Sequence, residues 1–440
     1  MFMVFVTSVC LFCSRCMFCM PLRLLHLHTP VLLLSVRNFG EQSSLGMFPT
    51  YDTMQMFALA VVLGLFVPRT VLAELIFEAY TDANAVCTDG SPSGLYFQKA
   101  TKASQKDVWV VQMQGGPWCW DAHSCSLRAG SLISSKNWPK SRQTFRGSIL
   151  DATGTDFEHA NKAFQAYCTS DGYIGNTSFN NMQFRGHVVV MNMLSTLKKK
   201  GLGANGNATL IFSGCSAGGR GVMYNLNRVA EISSLVFGVA RFVGLIDSGL
   251  YIDTDPLATS SVAPLRVQAQ GVVRNLKAVV DPTCAAKYPS ETWKCLIGEY
   301  AVPTLTAPFV LHAFQADRFQ LGFTAFGNWF LSVKQIRHNK VYSDYAQNWR
   351  TRTRASLFAA VQTHGKNVAI HSSDCYSYCN TAGSRFSFTS KESGESLKSV
   401  VQAFVFGTPG RTVKIDNCTG VFACGAKDWC SHVAKIGETN

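Results

Sequence analysis

The chain has 440 residues, 47% of them hydrophobic, and carries 40 Lys and Arg against 27 Asp and Glu, a formal net charge of +13. That length can bury a large core and permits two or three domains or one large α/β domain. The positive residues are scattered and no basic stripe is interleaved with aromatics, which argues against a nucleic-acid partner; a basic surface suits an acidic one, such as a uronic-acid polysaccharide.

The amino terminus holds two apolar stretches. Residues 56–67 are too short to span a bilayer comfortably, and Val71-Leu72-Ala73 reads as a signal-peptidase site before Glu74. Residues 1–55 are rich in Cys and Met, are broken by Arg15, Arg23 and Arg37, and have no sustained periodicity. They are either an anchor-like leader or lie upstream of a true start at Met47, Met54 or Met56; the second reading is favoured because it puts the signal where a signal belongs. The expected organisation is therefore 1–56 leader or gene-model extension, 57–73 signal peptide, and 74–440 one domain ending in a Cys-rich tail, 416–440. The product is expected to be extracellular and monomeric, with membrane anchoring by the N-terminal segment as the alternative.

Of 16 cysteines, Cys10, Cys13, Cys16 and Cys19 fall in the leader, and the rest run from Cys87 to Cys430. Behind a signal peptide, that usage reads as disulfides in an oxidising compartment. Cys119 with Cys125 is one local pairing, but spacing leaves the connectivity open. Zinc on Cys119, His123 and Cys125 is the weaker alternative, because no second pair at finger-like spacing follows. No metal and no cofactor are expected. Sequons at Asn176, Asn207 and Asn417 fit secretion.

Along the rest of the chain, Val108–Met113 reads as a strand running into Gly115-Gly116-Pro117. A segment from His187 turns helical before Lys198-Lys199-Lys200, which complement a helix dipole, and Gly201 supplies the stop. Gly201-Leu202-Gly203-Ala204-Asn205-Gly206 matches a dinucleotide fingerprint, but it follows a helix and precedes a strand, the reverse of the order needed to hold a phosphate. Ala208–Phe212 is the next strand. It leads into Gly214-Cys215-Ser216-Ala217-Gly218 and then a helical stretch at Val222–Leu226, the strand–turn–helix context that a nucleophile elbow requires. Further strands are expected at Phe242–Ile246, ending at Asp247; at Phe309–Phe314, ending at Asp317; and at Val368–Ile370. Strands alternating with helices predict an α/β fold with a mostly parallel central sheet, its functional residues at the carboxyl ends of the strands.

An acyl-transfer serine needs a base, an acid to orient that base, and donors for the tetrahedral oxyanion. Ser216 is the candidate nucleophile. Asp317, after a later strand, is the acid by position, or else an aspartate capping a following helix. The Ala217 N–H is one candidate oxyanion donor, and the Gly115-Gly116 loop is the source expected for the second.

Taken together, Cys87-Thr88-Asp89-Gly90-Ser91-Pro92, Gln114-Gly115-Gly116-Pro117-Trp118-Cys119, Tyr167-Cys168, Phe184-Arg185-Gly186, Gly214–Gly219, Asp247-Ser248-Gly249, Gln315-Ala316-Asp317 with Gln320, and Cys375–Cys379 resemble the pectin acetylesterase family in content and order. The resemblance runs from about Leu75 to Cys379. It implies an α/β-hydrolase-like, disulfide-stabilised serine carboxylesterase, which removes acetyl groups from cell-wall pectin in plant members and a fatty acyl group from a signalling protein in Notum-like members. It carries Ser216 as nucleophile and Asp317 as acid, and implies an acetylated polysaccharide as partner.

Two positions depart from the family pattern. Tyr378 stands where the family has its catalytic histidine, and a neutral phenol is a poor base at neutral pH. Pro117 stands where the glycine-rich loop usually continues with Gly or Trp, and proline has no N–H to donate. His371, just after the last strand, is a candidate substitute base if the loop is shifted, though a locally bonded strand-end histidine is the favoured reading. His432 in the tail is a more remote candidate, and His312 reads as a core residue. A glycan- or lipid-binding protein that has lost catalysis, and a Notum-like protein deacylase, are the alternatives to an acetylesterase.

Overall fold

The computed structural model describes residues 9–13, 16–20, 74–390, 392–407, 412–420 and 422. The chain divides into two units, Met1–Thr70 and Val71–Asn440. In the first, Val9–Cys13 and Cys16–Met20 pair as an antiparallel hairpin. The expected signal segment, Cys424, Cys430 and His432 lie outside the described residues. Among the described residues, no helix is long and apolar enough to cross a membrane.

The second unit is built on a ten-stranded sheet. In chain order its strands are β1 (Glu74–Ala79), β2 (Gly94–Gln98), β3 (Val108–Met113), β4 (Ser141–Gln143), β5 (Asn161–Gln165), β6 (Ala208–Cys215), β7 (Val239–Asp247), β8 (Phe309–His312), β9 (Val368–Ser372) and β10 (Val413–Ile415). They lie in the order β10-β9-β8-β7-β6-β3-β5-β2-β1-β4. From β10 to β5 every neighbour is parallel, while β2, β1 and β4 add an antiparallel edge. The mostly parallel sheet expected from the alternating pattern is what forms, and the α/β-hydrolase-like fold is the one the family resemblance implies.

Alternation along the central strands divides the core into two layers. Leu210, Phe212, Ile246, Leu311 and Ile370 belong to one apolar cluster, with Val189, Val190, Met193, Leu194 and Leu197 of the helix Gly186–Lys199 and Val222, Leu226 and Val229 of the helix Ala217–Glu231. Ile211, Val243, Leu245, Val310 and Ala369 point to the other face, against Leu397, Val400, Val401 and Val405 of the helix Leu397–Phe406. A sheet covered on both faces explains why these strands read as continuous apolar runs. The segment from His187 is helical from its start despite three consecutive valines, because its apolar residues recur at helical spacing and packing outweighs a modest propensity cost.

The register aligns Cys215, Asp247, His312 and His371 as successive partners across β6, β7, β8 and β9. Their carboxyl ends therefore form one row, with Ser216 immediately beyond it. Beyond the sheet, a two-residue bridge pairs Ala316–Asp317 with Tyr376–Ser377 and carries the carboxylate and the tyrosine loop toward Ser216.

Candidate active site

Ser216 joins β6 to the helix Ala217–Glu231 with φ 62° and ψ −123°, a left-handed conformation that costs a non-glycine residue about 1–3 kcal/mol. The turn closes only because its flanking positions lack side chains. A Cβ on Gly218 would lie 2.1 Å from the Met113 carbonyl oxygen of β3, and one on Gly214 would lie 2.4 Å from the backbone of Gly218. The Ser216 N–H donates to the Asp247 carbonyl (3.1 Å), and its own carbonyl accepts from the Arg220 N–H (2.8 Å). This over-determined backbone presents the side chain at the tip of the sheet, as a nucleophile elbow does.

The candidate oxyanion groups lie beside the serine. Ala217 is the first residue of the helix, so its amide is among those a helix leaves without an internal acceptor. Gly115 packs directly on the serine: a Cβ there would sit 3.0 Å from Ser216 Cβ and 3.5 Å from its Oγ. Gly116 packs on the Tyr167 ring, and Pro117 is exposed. The Gln114 carbonyl accepts from the Tyr173 hydroxyl (2.8 Å), and its amide donates to the Gln165 carbonyl (3.0 Å), which fixes the loop.

On the other side of the serine there is a phenol. The Tyr378 hydroxyl donates to Ser216 Oγ at 2.5 Å and lies 3.0 Å from the Tyr251 hydroxyl. Its ring stacks on Phe319 with centroids 5.2 Å apart. Burial, followed by the neighbouring Tyr251 and Asp317, pushes the Tyr378 phenol well above its ordinary pKa, so it is neutral at physiological pH. Asp317 is buried one residue-pair away in the bridge, where it accepts from the Gln320 N–H (2.9 Å) and Nε2 (3.1 Å). Burial raises its carboxyl to about 7 against the opposing pull of those hydrogen bonds.

His371 is not the substitute base. It is 2% exposed within β9, with Nδ1 3.1 Å from His312 Nδ1 and Nε2 3.3 Å from the Glu395 carbonyl. Three strand spacings, roughly 14 Å, separate its place in the row from Cys215. Burial, with the neighbouring His312, lowers its pKa to about 3. His312 is likewise buried, its Nδ1 2.9 Å from the His371 carbonyl. No imidazole among the described residues hydrogen-bonds Ser216. The zinc alternative also fails locally, because Cys119 and Cys125 are bonded to each other as a disulfide.

Three contributors escaped the sequence reading. Asp247 is fully buried and clamps the tyrosine loop: its Oδ2 accepts from the Asn380 N–H (2.8 Å), the Thr381 N–H (2.7 Å) and Thr381 Oγ1 (2.8 Å). The Asp-Ser-Gly triplet ending a strand was its only signal. Cys215 and Cys379, the neighbours of Ser216 and Tyr378, are joined by a disulfide across 164 residues. Tyr251, four residues past Asp247, supplies the second phenol, and nothing in its local sequence marks it.

A strained serine between a strand and a helix, facing a glycine loop at the carboxyl edge of a mostly parallel sheet, defines a protein of the α/β-hydrolase-like class. Within that class the chain belongs to the pectinacetylesterase family, whose profile (described as Pectinacetylesterase) matches residues 68–424. It is similar to the palmitoleoyl-protein carboxylesterase NOTUM of Mus musculus, 32% identical over 265 residues that make up 56% of this chain and 51% of that protein. The Homo sapiens NOTUM is 31% identical over 264 residues, 56% and 52% of the two chains. Pectin acetylesterase 7 of Arabidopsis thaliana is 27% identical over 270 residues, 60% and 66% of the two. The chain thus spans about half the length of the NOTUM relatives it matches. Among solved structures, the Wnt deacylase Notum from Drosophila shares the fold with a TM-score of 0.68 at 22% identity, over 81% of this chain and 100% of that one.

Proposed function

We propose that the chain is a secreted carboxylic ester hydrolase that forms an acyl-enzyme on Ser216 and acts on acetyl esters of a cell-wall-type polysaccharide. The observation that carries this reading is the left-handed elbow at Ser216 with Gly115 packed against its side chain. In this mechanism Oγ adds to the ester carbonyl carbon, and the resulting oxyanion is held by the Ala217 amide and the Gly115-Gly116 loop. The alcohol leaves with the proton, and water releases the acid from Ser216. Proton transfer is the weak step, because Tyr378 donates to Oγ where a base would accept. Secretion is supported by disulfides at ten described cysteines, Cys375 and Cys418 among them, and by the exposure of Asn176, Asn207 and Asn417. A signal peptide at 57–73 belongs to the same reading.

The direct test is hydrolysis of p-nitrophenyl acetate by the wild type and by Ser216→Ala. Slow turnover that disappears in the variant is expected. Equal rates in both would end the serine mechanism. The same hydrogen bond favours a second reading, a glycan- or lipid-binding protein that keeps the pocket without turnover, and absence of hydrolysis in both proteins would select it. Faster cleavage of the octanoate than of the acetate ester would instead support the protein-deacylase reading that the NOTUM relatives suggest.

A further inference from the structure

Three hydroxyls and one cation meet at the candidate nucleophile. The Tyr378 hydroxyl is 2.5 Å from Ser216 Oγ and 3.0 Å from the Tyr251 hydroxyl, and either phenol can donate in the second bond. Tyr251 also shares a side-chain hydrogen bond with Ser216. It is 4% exposed, and its ring centroid lies 4.6 Å from the Arg220 guanidinium, which has the Trp118 ring at 4.1 Å. Arg220 is itself 3% exposed, and its Nε and Nη1 make no hydrogen bond among the described residues.

A cation sealed from water and short of acceptors favours an anion on a neighbouring group that can lose a proton. The charges that act on Arg220 most are those of four phenols, and Tyr251 comes first, before Tyr224, Tyr378 and Tyr167. Several groups face the Tyr251 phenol. Burial raises its pKa, Arg220 lowers it, Asp317 raises it, and hydrogen bonds with Tyr378 and Ser216 lower it; Tyr224 is a further neighbour. The net direction is upward, so the phenolate is a minor form at neutral pH and grows with alkalinity. A hydroxyl both donates and accepts, so the chain Ser216–Tyr378–Tyr251 can run in either sense. Ionisation of Tyr251 fixes the sense: Tyr378 then donates to Tyr251, and Ser216 donates to Tyr378.

We propose that Tyr251 is the base of this site, its phenolate receiving the Ser216 proton by relay through Tyr378. This rests on the reading of Ser216 as the nucleophile. As Oγ bonds to the ester carbonyl carbon, its proton passes to the Tyr378 oxygen, and the Tyr378 proton passes to Tyr251. The negative charge moves from Tyr251 to the carbonyl oxygen. On collapse the bond to the alcohol breaks, the alcohol takes a proton from Tyr378, and Tyr378 regains one from Tyr251. Water repeats the cycle on the acyl-enzyme.

The test is the pH dependence of Ser216-dependent p-nitrophenyl acetate hydrolysis from pH 6 to pH 9, with phosphonylation of Ser216 by a fluorophosphonate, followed by mass spectrometry, as a readout that needs no turnover. Both rates are expected to climb about tenfold per pH unit at the alkaline end. Tyr251→Phe keeps the ring on Arg220 and removes the hydroxyl; it should lose about 10²-fold at pH 9 and flatten the climb, whereas a structural defect lowers the rate equally at every pH. Asp317→Asn supplies a test of sign. The Asp317 carboxyl titrates at about 7, so it is mainly neutral at pH 6 and charged at pH 9, where it opposes the phenolate. The ratio of the rate at pH 9 to that at pH 6 should therefore rise roughly 3- to 10-fold in Asp317→Asn. Parallel profiles for wild type and Tyr251→Phe, or an unchanged or lower ratio in Asp317→Asn, would overturn the proposal alone. Hydrolysis and labelling that persist in Ser216→Ala would end the esterase reading itself, and this one with it.

Discussion

Tyr378 is the direct hydrogen-bonding neighbour of the candidate nucleophile. Its hydroxyl fills the hydrogen-bonding position on Ser216 Oγ, and Asp317 lies behind it with Gln320 and no imidazole to orient. Tyr378→His is expected to raise kcat/KM on aryl acetates by roughly 10²- to 10⁴-fold and to add an acidic limb to the pH–rate profile. If the rate does not rise, the Pro117 loop or another defect limits catalysis. Asp317 makes a separate prediction about stability. Its carboxyl titrates at about 7 in the fold against 3.8 ordinarily, so between those values the folded chain holds a proton that the unfolded chain has released. Raising the pH through that window therefore lowers stability, by on the order of 4 kcal/mol at most. Asp317→Asn should flatten the dependence, as read by urea unfolding at pH 5 and pH 8.

At the scale of elements, the site depends on close approaches that tolerate no added atoms. Gly218→Ala would push a methyl into the Met113 carbonyl oxygen 2.1 Å away, part of the backbone of β3 that cannot give way alone. A loss of about 3 kcal/mol, with abolition of any Ser216-dependent hydrolysis, is expected in chemical denaturation and rate assays. Asp247 ties β7 to the tyrosine loop through three accepted hydrogen bonds. Asp247→Ala should cost at least about 3 kcal/mol, because buried donors would be left unmet. A sharper fall in kcat than in KM-governed binding would identify it as a positioning residue.

Over the whole molecule, cross-links and sheet geometry act together. The Cys87–Cys168 disulfide closes a separation of 81 residues, and replacing both cysteines by serine should lower stability by about 4 kcal/mol if chain entropy governs it. Denaturation with and without the bond measures this directly. The strands that carry the site were legible because both their faces are covered, so that Val108–Met113, Ala208–Phe212 and Phe242–Ile246 are nearly all apolar. The strand where the parallel part meets the antiparallel edge was not: Asn161–Gln165 is fully buried yet contains Asn, Lys and Gln, and its Asn161 and Gln165 side chains are met by partners distant in sequence. A pattern search cannot find a strand whose burial depends on such partners.

Local sequence was sufficient for the elbow, because a tight strand-to-helix turn needs Gly at 214 and 218 and exposes whatever stands between them. It was sufficient, too, for the absence of histidine in the Cys375–Cys379 loop, since residue identity needs no coordinates. Only the tertiary structure decided where His371 points, that Asp247 and the Cys215–Cys379 bond hold the tyrosine loop on the serine, and that the Arg220 guanidinium is enclosed between the Trp118 and Tyr251 rings. Those relations arise from strand register and from contacts between residues far apart in the chain, and no single segment encodes them.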